Sequence, residues 1–434
     1  MGKAVFFNLP GATGHINPAL GVVSELISHG EEVIFYADAA SASKLAALGA
    51  TARDYCRWSD YDHDPATAAD LMAVGIALFE MTEQCLPGLL RELEADRPDY
   101  IIYDSCAPWG PLLADRLGIP AIKFVTHVLW TNRMTFDPRH WLNLDMLSLV
   151  IRSYRLESHI RGIKLAANAR QRFRNMVSRI GGHTRRPLRD AIGLLRRPDE
   201  PNICVTSPRY QPHAEKMNGN THFVGASIPE GRDGQNFQRP GLHHQCLIYI
   251  SLGSVHNQKL DFYRDCLVAF ADAPYQVVMS VGRHTRIGDL GTIPQNVHVY
   301  PWVPQLEVIR QAQLFISHGG MNSINESLYF NVPLLMVPQQ AEQAFSARRI
   351  QKLGAGLCLR PSRVSPQRLC RMAEQILSEP SYRDNAAILG TSVRAGGHQR
   401  AAQLMLDHIS RIQQAKTRET TASSREPVPA FGTT

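Results

Sequence analysis

Short apolar runs alternate with stretches of helical periodicity through most of this chain, and the alternation occurs twice over, which restricts its fold more than any other feature. Residues 4–9, 32–36, 100–103 and 121–125 are strand-sized runs rich in Val, Ile, Phe and Tyr. Between them, residues 18–28, 40–48 and 107–117 carry apolar side chains at three- and four-residue spacing. Asn17 and Pro18 read as the N-cap and first position of the first helix, because proline lacks an N–H that would go unpaired there. Strands joined through helices run parallel, since each helix carries the chain back to the starting edge of the sheet. The second half repeats the pattern, with strands at 246–251, 276–280, 298–300, 314–317 and 334–337 and helices at 261–270 and 322–330.

A chain of 434 residues exceeds what one hydrophobic core ordinarily holds, so the doubled alternation predicts two doubly wound α/β domains. Residues 1–226 make the first and 245–397 the second; 227–244, rich in Gly, Pro, Arg, Asp and Gln, reads as the linker. Residues 398–414 put Ala402, Leu404, Met405, Ile409 and Ile412 at helical spacing, and that apolar face is expected to pack back on the first domain. From 415 to 434, Thr, Ser and Pro replace packing residues, and disorder is expected. Ligands of such sheets bind at the carboxyl ends of the strands, here in the cleft between domains.

Composition narrows the function classes. No apolar run approaches the roughly 20 residues of a spanning helix, and the first residues lack a signal-peptide pattern, so a cytoplasmic protein is expected. The eight cysteines are scattered, with no C-x-x-C pair, and read as reduced thiols mostly packed in the core. The net charge of +7 is concentrated in residues 151–200, where twelve arginines and Lys164 face Glu157, Asp190, Asp199 and Glu200. No aromatic interleaving or nucleic-acid motif accompanies the charge, so no nucleic-acid partner is expected. Solvated helix faces are the favoured reading, with Leu149, Val150, Ile160, Ile163, Leu165 and Phe173 turned inward; weak contact with a membrane surface stays open. The acidic run Asp60 to Asp64 and the pair His243–His244 lack ligand partners, and no metal is implied.

Chemistry concentrates in two places. Past the strand at 314–317 come His318, Gly319 and Gly320, then a helix. Glycines let backbone approach a ligand, and the unpaired N–H groups of a helix start attract an anion. Asn322 and Ser323 fall in its first turn, where they either cap the helix or bind phosphate. Glu326 lies one turn deeper on the same face as Asn322 and could accept hydrogen bonds from vicinal ribose hydroxyls. Ser254, after the strand at 246–251, could meet the same diphosphate.

From Trp302 to Gln343 the pattern W-V-P-Q, H-G-G-M-N-S-x-x-E, N-V-P and P-Q-Q-A-E-Q resembles the donor-binding signature of family-1 glycosyltransferases. The bacterial macrolide-glycosyltransferase branch is the most similar. The resemblance implies the GT-B fold, two Rossmann-like domains facing across a cleft, with a nucleotide-sugar donor and no metal. It also implies roles. Trp302 stacks on the base, backbone groups of Val303 read the base edge, and Gln305 lies near the ribose. His318, Gly320, Asn322, Ser323 and Ser254 surround the diphosphate; Glu326 binds the ribose; Glu342 and Gln343 bind the sugar. Met321, Asn331 and Glu342 depart from the plant members of the family, which bears on the identity of the sugar.

The first strand ends in P-G-A-T-G-H-I-N-P, residues 10–18. Its G-x-x-G spacing is not the dinucleotide fingerprint, so a dehydrogenase is disfavoured. A histidine at a strand-to-helix junction beside a cleft titrates near neutrality and suits a general base. The same family carries His15 in this role, with an aspartate at the strand end occupied here by Asp104. That carboxylate either orients His15 or caps the following helix. The reading that results is an inverting transfer from UDP-glucose to a hydroxyl of a lipophilic small molecule. The alternatives are a dTDP-deoxysugar natural-product glycosyltransferase, a membrane-surface glycolipid glycosyltransferase and a nucleotide-sugar epimerase. Met72, Phe79, Met81, Trp109, Trp130, Met134, Phe136 and Trp141 supply large apolar surface to the first half, as core or as an acceptor cleft.

Overall fold

The computed structural model describes residues 2–59, 71–129, 134, 156–181, 200–232, 234, 237–238, 246–254 and 257–423. Thirteen strands among these form two parallel sheets. The first holds β1 (Lys3–Phe7), β2 (Glu32–Ala37), β3 (Thr51–Asp54), β4 (Tyr100–Asp104), β5 (Ala121–Val125), β6 (Asn202–Cys204) and β7 (Thr221–Phe223), in the order 3-2-1-4-5-6-7. The second holds β8 (Cys246–Ser251), β9 (Tyr275–Ser280), β10 (Val297–Tyr300), β11 (Leu314–Ser317), β12 (Leu334–Met336) and β13 (Gly356–Cys358), in the order 10-9-8-11-12-13.

Central strands such as β4 and β5 are buried along their whole length, as sheets covered by helices on both faces require. The edge strands β3, β7 and β13, and β6 beside β7, lie outside the expected set. They are only three or four residues long, and such runs carry too little periodicity to be read locally.

In both sheets the order reverses beside the first strand, between β1 and β4 and between β8 and β11. Loops leaving those neighbours diverge to opposite faces, and the gap between them is where doubly wound sheets bind ligands. Register makes the gaps definite: Phe7 pairs with Tyr103 in the first sheet, and Ser251 with Ser317 in the second. The residues just beyond those pairs are the ones singled out by sequence.

Several expectations need correction. The first helix spans Thr13–Ser28, so Pro18 lies inside it and Asn17 is not its N-cap. A proline there removes the N–H that would bond the Gly14 carbonyl four residues earlier. Asn322 fills the vacancy, donating from Nδ2 to that carbonyl at 2.8 Å. Likewise the last helix runs over Gly397–Ser423, so residues 415–423 are helical rather than disordered. Gln, Lys, Arg and Glu in that stretch are good helix formers, and the helix propagates past its packed face. Its Ala401, Ala402, Met405 and Ile409 are buried against the Thr13–Ser28 helix and the first sheet, as the periodicity required.

Within helix Leu156–Arg179, Phe173, Met176 and Val177 face the core, whereas Ile160 and Ile163 are exposed. Ile160 and Ile163 are therefore not turned inward as expected, and the inward set starts later in the helix, at Phe173. Arg161 and Arg172 reach Glu80 and Glu83 of helix Leu71–Asp96. Of the eight thiols all are free, but only Cys85, Cys204 and Cys266 are fully buried, so core packing accounts for fewer than expected. Among the described residues no helix is long and apolar enough to cross a membrane. The acidic run at 60–64, His243, His244, Leu149, Val150, Trp130, Phe136 and Trp141 lie outside the described residues.

Candidate active site

A cavity of about 420 Å³ opens between the two sheets and collects both sets of candidate residues. From the first half come Thr13, Gly14, His15 and Thr126; from the second come Ser254, Trp302, His318, Asn322, Glu326 and Glu342. Two helix N-termini converge on it. Helices Thr13–Ser28 and Met321–Tyr329 begin at Ala12 and Gly320, and neither has a side chain capping its first-turn amides. Unpaired N–H groups at two helix starts give the cavity a positive potential suited to a diphosphate.

His15 sits in the first turn of its helix, with its backbone carbonyl held by Asn8 Nδ2. Its Nδ1 lies 2.9 Å from Asp104 Oδ2, 89 positions away, and 3.0 Å from Thr126 Oγ1. Asp104 is fully buried at the end of β4, and its Oδ1 accepts from the Cys106 N–H at 2.7 Å. The capping reading of this carboxylate does not hold, since the following helix Trp109–Leu117 has Pro108 at its N-cap and no side-chain cap; Asp104 instead closes the loop before it with one oxygen and contacts the imidazole with the other. With Nδ1 engaged by a carboxylate, Nε2 is the nitrogen left to take a proton. Burial pushes the His15 pKa down, but the charge and hydrogen bond of Asp104, with help from Glu342, override it and leave the net shift above the ordinary 6.5.

His127, unforeseen in sequence, lines the same cavity with its ring centroid 6.1 Å from that of His15. Its Nδ1–H donates to the Val128 carbonyl at 2.8 Å, so Nε2 accepts from Ser105 Oγ at 2.9 Å. Both nitrogens are committed, which separates it from His15 as a base. Cys106 Sγ, Asp104 and His15 form the one cluster of ligand-type atoms within 4.8 Å among the described residues. Burial, first, and the charges of Asp104 and Glu342 hold the Cys106 thiol well above its usual range.

On the second sheet, His318 is wedged between two glycines. A Cβ on Gly253 would stand 2.6 Å from its ring, and one on Gly320 2.5 Å. Gly253 also adopts a φ of 81°, which disfavours any side chain. These two positions must be glycine for the imidazole to lie across the helix start. Trp302 is 54% exposed at the cavity lip while its neighbour Val303 is buried at 3%, so the indole presents a bare face to the opening. Exposed tryptophan surface of this kind suits a planar ring.

Other candidate residues are more occupied than their spacing implied. Asn322 spends its amide nitrogen on the Gly14 carbonyl. Gln343 is buried, and its Oε1 accepts from the Gln339 N–H at 2.8 Å, closing the turn before helix Ala341–Lys352. Its Nε2 reaches Gln340 Oε1 at 3.3 Å. Glu342, one position earlier, lines the cavity. Ser254 is exposed on the cavity wall, and Ser323 is buried in the first turn of its helix.

Glu326 is buried and doubly held. Gln305 Nε2 donates to Oε2 at 2.6 Å, and Arg232 Nη1 to Oε1 at 2.8 Å. Arg232 lies in the segment read as linker, and nothing local in the sequence marks it. Thr126 had a faint signal, since it follows β5, the strand beside β4. Of the apolar set, Met81 and Trp109 are buried in the core between the first sheet and its helices, and Met134 in the core reaching the second half. Those three are packing residues rather than cleft lining. Phe79 packs under the Arg172 guanidinium.

Comparison with known proteins agrees with this geometry. Residues 265–396 match the family described as erythromycin biosynthesis protein CIII-like, C-terminal domain. The NDP-glycosyltransferase YjiC of Bacillus licheniformis is 30% identical over 406 residues, covering 91% of this chain and 95% of that protein. The oleandomycin glycosyltransferase of Streptomyces antibioticus is 28% identical over 410 residues, covering 91% of this chain and 88% of its own. A crystal structure of the glycotransferase of kitacinnamycin superposes with a TM-score of 0.79 at 28% identity, covering 94% of this chain and 99% of that one. Two parallel Rossmann-like sheets with a nucleotide-sugar cleft between them are thus shared along nearly the whole chain, which belongs to the family-1 glycosyltransferases of GT-B fold, in their macrolide-glycosyltransferase branch.

Proposed function

We propose that this glycosyltransferase moves glucose from UDP-glucose to a hydroxyl of a lipophilic natural product in one inverting displacement, with His15 as general base. The observation that carries the reading is the Asp104–His15 contact, 2.9 Å long, on the opposite wall of one cavity from Trp302, His318 and Glu326. His15 Nε2 takes the acceptor proton as the acceptor oxygen bonds to the anomeric carbon. The bond from that carbon to the diphosphate oxygen breaks, and the nucleoside diphosphate leaves with the electron pair. Among the described residues one base of suitable geometry, His15, faces the cleft, so no covalent sugar intermediate is invoked and an α-linked donor gives a β-glycoside.

The leaving diphosphate gains its stabilisation from the start of helix Met321–Tyr329 and from His318, Ser254 and Ser323. Trp302 takes the base, Glu326 the ribose, and Glu342 the sugar hydroxyls. Gln343 contributes through Nε2, since its carbonyl oxygen is already used. A ribose-binding carboxylate favours UDP over dTDP, because two hydroxyls are available to it instead of one. The relatives named for oleandomycin, kitacinnamycin and erythromycin support a large apolar acceptor.

Incubating the enzyme with UDP- and dTDP-sugars and a panel of macrolide and phenolic acceptors, read by mass, tests this directly. UDP-glucose is expected to give the largest hexosylated product signal, unaltered by EDTA, because helix amides and side chains supply the diphosphate stabilisation. Turnover of dTDP-deoxysugars alone would reverse the donor assignment, and loss of product with EDTA would overturn metal independence.

A further inference from the structure

The ion pair between Arg232 and Glu326 is the most buried one in the cavity, with side-chain exposures of 5% and 3%. It does not stand alone. Tyr249 hydroxyl donates to Gln305 Oε1 at 3.1 Å, Gln305 Nε2 donates to Glu326 Oε2 at 2.6 Å, and Arg232 Nη1 donates to Oε1 at 2.8 Å. The chain of contacts begins on β8, passes through the first residue of helix Gln305–Gln311 and ends on the segment joining the two halves. Every member lines the same cavity as Trp302.

Desolvating a guanidinium and a carboxylate together gains little stability, because the cost of leaving water offsets most of their attraction. What the pairing does secure is a carboxylate fixed in rotation inside a buried wall, with one donor on each oxygen. Each Glu326 oxygen has one donor and retains a further lone pair. Those lone pairs are what two vicinal hydroxyls would require.

We infer that Arg232, carried by the interdomain segment, is a positioning residue of the donor site: by holding the Glu326 carboxylate in one orientation, it sets the preference for a ribonucleotide over a 2′-deoxyribonucleotide. The inference rests on the donor reading above. It extends the nucleotide site beyond the Trp302–Gln343 stretch and ties ribose recognition to the segment between the sheets.

Titration calorimetry of the full chain with UDP and with 2′-deoxy-UDP tests it. A hydrogen bond to a charged acceptor corresponds to a preference on the order of 10-fold or more for UDP in the unaltered protein. Glu326→Gln and Arg232→Ala are each expected to reduce that ratio to about 2 or below, and the double variant to go no further, because both act on one acceptor. Arg232→Lys is expected to keep an intermediate ratio, since it restores the charge without the planar fork. Thermal unfolding of each variant runs alongside. An unaltered ratio in Arg232→Ala, whatever its Tm, would make Arg232 a structural residue and overturn the inference. If Arg232→Ala does not fold, an unaltered ratio in Arg232→Lys together with a collapsed ratio in Glu326→Gln overturns it instead. Trp302→Ala separates the two levels: if UDP binds that variant as tightly as the unaltered protein, the donor site itself is wrongly assigned.

Discussion

Replacing His15 by alanine is expected to lower kcat by about 10²- to 10⁴-fold while leaving UDP affinity within about 2-fold, the range that a positioned general base supplies. The effect corresponds to roughly 3–5 kcal/mol of transition-state stabilisation. The reason for the split lies in the two walls of the cavity. His15 belongs to the first helix and touches Asp104 and Thr126, whereas the nucleotide candidates Trp302, His318 and Glu326 all come from the second half. Removing the imidazole takes away the proton acceptor and leaves the donor wall intact. Single-turnover assays with UDP-glucose, together with UDP titration, separate these quantities. Full transfer activity in His15→Ala would remove His15 from the chemistry, and a parallel loss of UDP binding would make it a structural residue instead.

The second large effect concerns Asp104 and pH. His15 must be neutral to act as a base, and its pKa lies above 6.5 because Asp104 outweighs burial. Activity is therefore expected to rise with pH through a value above 6.5 and then level off. In Asp104→Asn the burial remains but the carboxylate charge is gone, so the limb moves to lower pH. The plateau rate falls by on the order of 10²- to 10⁴-fold, because the amide neither fixes the imidazole tautomer nor stabilises the imidazolium. Stability follows the opposite sense. A raised histidine pKa contributes stability that is complete below 6.5 and is lost as pH climbs through the raised value, so Asp104→Asn is destabilised most in acid. A pH–rate profile and unfolding curves at two pH values check both. A limb that stays in place in Asp104→Asn would show that another group sets the titration.

Much of this was readable from the chain. Strands 4–9 and 314–317 and the helices after them were visible because consecutive apolar residues and 3.6-residue spacing are local properties. Gly319 and Gly320 were legible as points of close approach, although the packing of the His318 ring against Gly253 and Gly320 emerged only in three dimensions. Proline misled at one point. Pro18 normally marks a helix start, yet this helix begins at Thr13 because Asn322 supplies the hydrogen bond that proline withholds. Gln343 was assigned by pattern to the sugar, and half of its amide turns out to close a local turn. Trp109 and Met81 show the limit of composition, since a large apolar residue fills a core as readily as it lines a cleft.

The sequence by itself determined the two α/β halves, the switch from apolar strand to glycine-rich helix start at His15 and at His318, and the residue types available for proton transfer and nucleotide binding. Tertiary structure alone decided which of them meet. His15 finds Asp104 across 89 positions because β1 and β4 are neighbours at the reversal of strand order. Asn322 meets the Gly14 carbonyl across 308 positions because the two sheets face each other over one cavity, and Arg232 meets Glu326 across 94 because the segment joining the halves lines that cavity. Strand order and the placement of one sheet against another are chosen by burial summed over whole layers, and no short stretch of residues encodes that sum.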